Sequence, residues 1–178
     1  MDEAVDRITE QWALEMPDLS TEAMAIFGRI YRIAATAGEI MQRVYARHGL
    51  TRADFDVVGT LRRSGPPFQL SPGALSATLM LTTSGTTGRL NRLENAGLIT
   101  RTPGVGDGRS ILVGLTSRGR EVIDEAVKAG VVVQEQLIAA IPDARRTVLT
   151  ELLSDVLAGC TDQDNPRVVT RPRVVTYE

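Results

Sequence analysis

Between residues 83 and 110 the chain places side chains that can bind a polyanion and read it. Thr83, Ser84, Thr87, Asn91 and Arg92 fall on one side of a helical projection, and Thr86, Leu90 and Leu93 recur on the other. Residues three and four apart share a side of a helix, so the second set is expected to face a core and the first to face outward. A threonine, asparagine and arginine surface without bulky apolar groups can enter a DNA major groove, where asparagine pairs with adenine and arginine with guanine. Gly85 and Gly88 lie in the same stretch. A glycine inside a helix costs about 1 kcal/mol relative to alanine, which suits close approach to a partner; a solvated face of weak helix propensity gives the same pattern. Further on, Asp107 and Arg109 sit in the glycine-rich run Val105-Gly-Asp-Gly-Arg-Ser110. An arginine on such a tip can enter an adjacent minor groove, with Asp107 holding its guanidinium. The plainer alternative is an exposed ion pair on a hairpin.

The elements that must position these residues follow from local signals. Ser71 before Pro72 is a strong helix start, with Ala74, Leu75 and Leu79 expected to bury one face and residues 81–84 to turn into the second helix. Ser71, at that helix start, can also hold a phosphate. Asn95-Ala-Gly97 ends the second helix with glycine in the C-terminal position, and residues 98–101 and 111–115 read as a strand pair. Upstream, Thr51-Arg-Ala-Asp54 is a capped helix start leading through Phe55, Val57, Val58 and Leu61, and Phe68-Gln-Leu70 reads as a short strand completing the sheet. Helix, turn, helix, strand, loop and strand in that order make a winged helix-turn-helix.

The runs Asp107-Gly108-Arg109-Ser110, Arg89-Leu90-Asn91-Arg92-Leu93-Glu94, Gly97-Leu98-Ile99-Thr100-Arg101 and Leu115-Thr116-Ser117-Arg118-Gly119 resemble those of MarR-family regulators over about residues 5 to 160. The resemblance implies a mainly α protein with a small β-wing, a homodimer that binds a palindromic double-stranded operator and responds to a small ligand. Within the family the chain resembles most a urate-responsive branch with an added N-terminal helix. On that resemblance Trp12, Asp56, Arg89 and Arg101 are the expected ligand-binding residues. The chemistry is coherent: two arginines can fork onto a planar anion, a tryptophan can pack at its edge, and a buried carboxylate would be repelled. A urate-like, phenolic or other anionic ligand fits that set. Individually, Asp56 also reads as a structural carboxylate, Arg89 as a phosphate contact and Arg101 as a strand-edge charge.

Outside the winged region, residues 4–16 predict a short N-terminal helix stopped by Pro17, with Val5, Ile8, Trp12 and Met16 at helical spacing and Trp12 as a core anchor. After a cap at Ser20 or Thr21, Ile26, Ile30, Ile33, Ala37, Ile40 and Val44 form a coiled-coil-like seam, closed by Gly49. Val122, Ala126, Ala129, Val133, Leu137 and Ala140 form a second stripe ended by Pro142, and Val148, Leu149, Leu152, Leu153, Val156 and Leu157 a third. These stripes exceed what a compact DNA module can cover, and pairing with a second copy is expected; two reading helices about 34 Å apart would then meet a palindrome. A monomeric helical bundle is the alternative. The expected organisation is an N-terminal extension at 1–19, a dimerisation helix at 20–48, the winged helix-turn-helix at 49–116, C-terminal dimerisation helices at 117–159 and a flexible tail at 160–178. The tail carries Pro-Arg-Val-Val-Thr twice, and no function attaches to it.

The bulk numbers set the class. The chain has 178 residues, 43% hydrophobic and 24% charged, an ordinary globular composition without a run of the roughly 20 apolar residues that a membrane helix needs. Its acidic start has no apolar signal region, so a cytoplasmic protein is expected. One cysteine and one histidine leave no disulfide and no His/Cys metal cluster, and no cofactor is expected. Net charge is −2, yet residues 82–120 hold six arginines against two carboxylates, a local +4 that leaves −6 elsewhere. Such a distribution can still bind phosphates, with steep salt dependence. An enzyme would need a phosphate loop, a metal set or a nucleophile–base pair, none of which is visible in the sequence. A winged helix used only for protein contacts would call for an apolar or acidic recognition face, unlike this one. The expected function is a ligand-responsive transcriptional regulator, more a repressor than an activator.

Overall fold

The structure, a computed structural model, describes residues 3–78, 86–104 and 111–161. Along them run α1 (Glu3–Glu15), α2 (Glu22–Ala46), α3 (Arg52–Arg63), β1 (Gln69–Leu70), α4 (Pro72–Thr78), α5 (Thr86–Asn95), β2 (Ile99–Pro103), β3 (Ile111–Leu115), α6 (Ser117–Ile138) and α7 (Asp143–Thr161). The chain divides into two compact units, Met1–Val133 and Gln134–Glu178. No helix among the described residues is long and apolar enough to cross a membrane.

The helix ends expected at Ser71, Thr51 and Gly97 form where the sequence places them, whereas Thr21, the N-cap position of α2, makes no side-chain cap hydrogen bond. Ser71 Oγ accepts from the Ala74 N–H at 3.1 Å. Thr51 and Asp54 make a reciprocal capping box at the start of α3. Gly97, at φ +69°, turns the chain out of α5, with its N–H donating to Glu94 O and the Leu98 N–H to Leu93 O; a side chain there would be strained. The sheet has the order β1-β3-β2 and is antiparallel throughout. β2 starts at Ile99 and runs to Pro103, later than the expected 98–101, because Leu98 is used in the turn.

One core joins the elements of the first unit. Val57, Val58 and Leu61 of α3, Leu75 of α4, Leu90 and Leu93 of α5, Leu98 in the turn, Ile99 of β2, Val113 of β3 and Ile123 of α6 are buried together with Met41, Val44 and Tyr45 of α2. Each fully buried aliphatic side chain contributes roughly 1.5–3 kcal/mol, so α5 is held chiefly by its two leucines. The Tyr45 ring stacks on Phe55 at 3.9 Å, and its burial raises the phenol pKa.

Burial fails where it was expected within the chain at Ala74 and Trp12, while the α2 and α7 stripes, expected to pair with a second copy, stay largely exposed in the single chain. Ala74 is exposed, Leu75 alone on α4 being buried among the described residues. Trp12 is 43% exposed: α1 meets α2 through Val5 beside Gly28 and the Asp6–Arg29 ion pair, leaving its indole outside the core. The α2 seam is covered only near its end, Val44 being buried while Ile26 and Ile33 are exposed. On α6 Ala126 of the expected stripe is buried, as is Ile123, which the stripe omitted, and α7 buries nothing in the chain alone. Leu79, Gly85 and the repeated tail lie outside the described residues.

α6 is fastened to the turn after α5 by a close approach. Thr116 Oγ1 accepts from Gly119 N at 2.9 Å and donates to Gly97 O at 2.7 Å. A Cβ on Gly119 would stand 1.9 Å from Leu98 O, so only glycine fits. Gly119→Ala is expected to destabilise the protein by at least about 2 kcal/mol through forced separation of α6 from β2. Urea unfolding checks this, and a loss below about 0.5 kcal/mol would contradict the close approach.

Candidate nucleic-acid interface

α5 is ten residues long and begins with two threonines and a glycine, a composition too weak to hold a helix alone. Its inner side is Leu90 and Leu93, both buried. On its outer side Thr87 and Asn91 are exposed, and a Cβ added at Gly88 would meet open space. This is an uncluttered polar surface backed by core.

Two arginine bridges brace that surface. Arg92 Nη2 donates to Asp54 Oδ1, and the same nitrogen lies 3.4 Å from Thr51 Oγ1. Asp54 is almost fully buried, and its second oxygen accepts from Thr51 N at 2.9 Å and Thr51 Oγ1 at 2.7 Å. One carboxylate thus caps α3 and anchors α5. Arg92, expected as a base reader, is committed at one nitrogen to Asp54, though its side chain stays 56% exposed. On the other flank, Arg101 of β2 donates from Nη2 to Asn91 Oδ1 at 2.8 Å and pairs with Glu94 at 3.2 Å. The expected ligand residue Arg101 and the expected base reader Asn91 are therefore in direct contact.

The other expected site residues are placed as follows. Ser71 uses its hydroxyl oxygen as the α4 cap. Arg89 is half-buried on α5. Asp56 is buried on α3, and Thr60, one turn on, buries an Oγ1 with no hydrogen-bond partner among the described residues. Trp12 belongs to α1, whose packing is against α2. Thr83, Ser84, Asp107 and Arg109 lie outside the described residues.

Sequence reasoning missed a cleft of about 530 Å³ between α3 and α6, with Phe55, Val127, Arg62, Arg63, Lys128 and Asp124 in its lining. Arg62 donates through Nε to Asp124 at 2.7 Å; this hydrogen bond holds the Asp124 carboxyl below its ordinary value. The Arg62 guanidinium also lies over the Phe68 ring, whose other cationic neighbour is Arg120. Arg63 donates to Thr78 O at 2.9 Å, the last residue of α4. Apart from Arg62 over Phe68, these pairs join residues far apart in sequence, and no local spacing announces them.

A model of the MarR family matches residues 48–110. The HTH-type transcriptional regulator PecS of Dickeya dadantii is 34% identical over 152 residues, covering 85% of this chain and 92% of PecS. The transcriptional activatory protein BadR of Rhodopseudomonas palustris is 33% identical over 100 residues, covering 56% of this chain and 57% of BadR. Among solved structures, a mutant of E. coli MarR complexed with operator DNA aligns with a TM-score of 0.66 at 23% identity, covering 79% of this chain and 99% of that one.

Asp54→Ala removes a cap worth about 1 kcal/mol and a half-exposed ion pair worth up to about 1 kcal/mol. The variant is expected to lose about 2 kcal/mol in chemical denaturation, and a loss below about 0.5 kcal/mol would remove the bridge as an anchor of α5.

Proposed function

The chain belongs to the MarR family and is a DNA-binding transcription regulator, and we propose that it works in the cytoplasm as a homodimeric repressor of a palindromic operator, released by a small anionic aromatic ligand. The observation that carries this reading is the polar outer side of α5, held on a leucine core and braced by arginines at both flanks. Thr83, Ser84, Thr87, Asn91 and Arg92 would meet the major groove, with Asp107 and Arg109 at the minor groove and Ser71 at a phosphate. Residues 49–116 would be the DNA-binding domain, 1–19 an extension, and 20–48 with 117–159 the dimerisation helices. The dimer is supported by apolar side chains left exposed in the single chain: Ile26, Tyr31 and Ile33 of α2, and Val148, Leu152 and Leu157 of α7.

For the ligand, Trp12, Asp56, Arg89 and Arg101 form the first candidate set. A planar anion drawn to Arg101 would compete with Asn91 and Glu94 for its guanidinium, which gives a route from ligand to reading surface. The buried Thr60 hydroxyl near Asp56 adds a polar group on the same helix. A differential preference of about 1–3 kcal/mol for the DNA-incompetent state changes affinity roughly 5- to 150-fold. The α3–α6 cleft favours a second placement: its size suits a small aromatic acid, and three cations face one carboxylate there.

The test is fluorescence anisotropy on DNA from upstream of the gene at near-physiological salt, with and without urate. Tight binding that urate weakens is expected, with Trp12→Phe and Asp56→Asn blunting release while leaving DNA affinity nearly intact. Normal release in both variants would reject the four-residue site, and binding indifferent to urate would move the search to aromatic carboxylates in the cleft. Failure to find any bound sequence would contradict the operator-binding role.

A further inference from the structure

Asn91 and Glu94, on successive turns of α5, are gripped by one side chain from the neighbouring strand. Arg101 Nη2 donates to Asn91 Oδ1 at 2.8 Å, and Nη1 lies 3.2 Å from Glu94 Oε2. A guanidinium has donors only, so the amide that faces it must present its carbonyl oxygen. Both protons of Asn91 Nδ2 are then left for another partner, on a residue that is itself exposed. The grip comes from a stiff base. Arg101 is paired with Val113 across the β2–β3 ladder, its side chain is 27% exposed, and its second nitrogen is tied to Glu94. Asn91 cannot turn its amide without breaking a hydrogen bond to a charged group, which is worth roughly twice a neutral one.

We propose that Arg101 is a positioning residue for base recognition: it commits Asn91 to donating, so that Asn91 reads a hydrogen-bond acceptor in the major groove. Purine N7, guanine O6 and thymine O4 are such acceptors. A freely turning asparagine instead pairs edge-on with adenine, accepting from N6 while donating to N7. With its oxygen engaged by Arg101, Asn91 accepts guanine and adenine alike at its base pair. The grip also removes rotamer freedom before DNA arrives, which lowers the ordering cost of the contact. This inference rests on the DNA-reading role of α5 proposed above.

The test uses the full chain. Bound sequences are selected from a random duplex library. Affinities are then measured on the selected operator and on every single base-pair substitution of it, for the wild type, N91A, R101A, R101K and the double variant N91A/R101A. The wild type should tolerate guanine and adenine within a few-fold at the pair that N91A relaxes. R101A frees the Asn91 amide to pair edge-on and should raise the preference for adenine over guanine at that same pair by about tenfold, other pairs and the salt slope staying unchanged, and the double variant should match N91A. R101K guards against a folding failure, because one ammonium serves Glu94 or Asn91 but not both; it should melt like the wild type and shift the same pair toward adenine. The inference is overturned if R101A and R101K leave that pair's discrimination intact, if R101A weakens all sequences uniformly, if the single effects multiply in the double variant, or if the wild type rejects guanine in favour of adenine there by tenfold or more. It is equally overturned if N91A relaxes no pair while specific binding persists. Absence of any selected sequence for the wild type would be failure of the DNA-reading role itself.

Discussion

A ten-residue polar helix cannot stand by itself, and the rest of this structure is the means by which α5 is held. Isolated helices this short are marginal even with favourable composition, and α5 opens with threonines and a glycine. Its order comes from outside: Leu90 and Leu93 in the core, the Gly97 turn that delivers Leu98 and Ile99 to the same core, and the Thr116 and Gly119 contacts that press α6 against that turn. The two arginine bridges add orientation to this. Asp54 ties α5 to the first turn of α3, and Arg101 ties it to the sheet. In the reading role proposed for it, an α5 surface held in this way would meet DNA with much of its ordering cost already met by folding.

Charge works with the same geography. An acidic chain is repelled by phosphate at long range, so in the proposed binding mode the basic segment from Arg89 to Arg120 would dominate at contact distance, and salt would weaken it strongly. Several of its arginines are occupied inside the protein: Arg92 with Asp54, Arg101 with Asn91 and Glu94, Arg120 over Phe68. Their role is as much to shape the surface as to neutralise phosphate. Arg62 and Arg63 extend the pattern away from α5, one reaching Asp124 on α6 and the other the last residue of α4. A small anion in that neighbourhood would compete with groups that fasten helices to one another.

Much of the fold was legible in the sequence because its signals are local. Ser71 before Pro72, Thr51 with Asp54, and Asn95-Ala-Gly97 each specify a helix end within four residues, and all three appear in the structure. The β3 span and the short β1 were equally readable. What could not be read was partnership across distance. Asp54 was visible as a cap and Arg92 as a cation, but nothing local says that residues 38 apart share a bond. Helical periodicity marks apolar faces without saying what covers them; hence Trp12, Ile26 and Ile33 lie exposed in the single chain while Ile123 fills its centre. The site was legible as residue types on a face, and its internal bridges were not.

The claim that α5 is set in place before DNA binds is tested most directly by amide hydrogen exchange of residues 86–95 in the full-length protein, free and bound to operator. The account predicts that the free protein already protects the amides around Leu90 to Leu93 to a level close to that of α3, with little added by DNA. Exchange at unfolded-chain rates in the free protein, with protection acquired only on the operator, would contradict it.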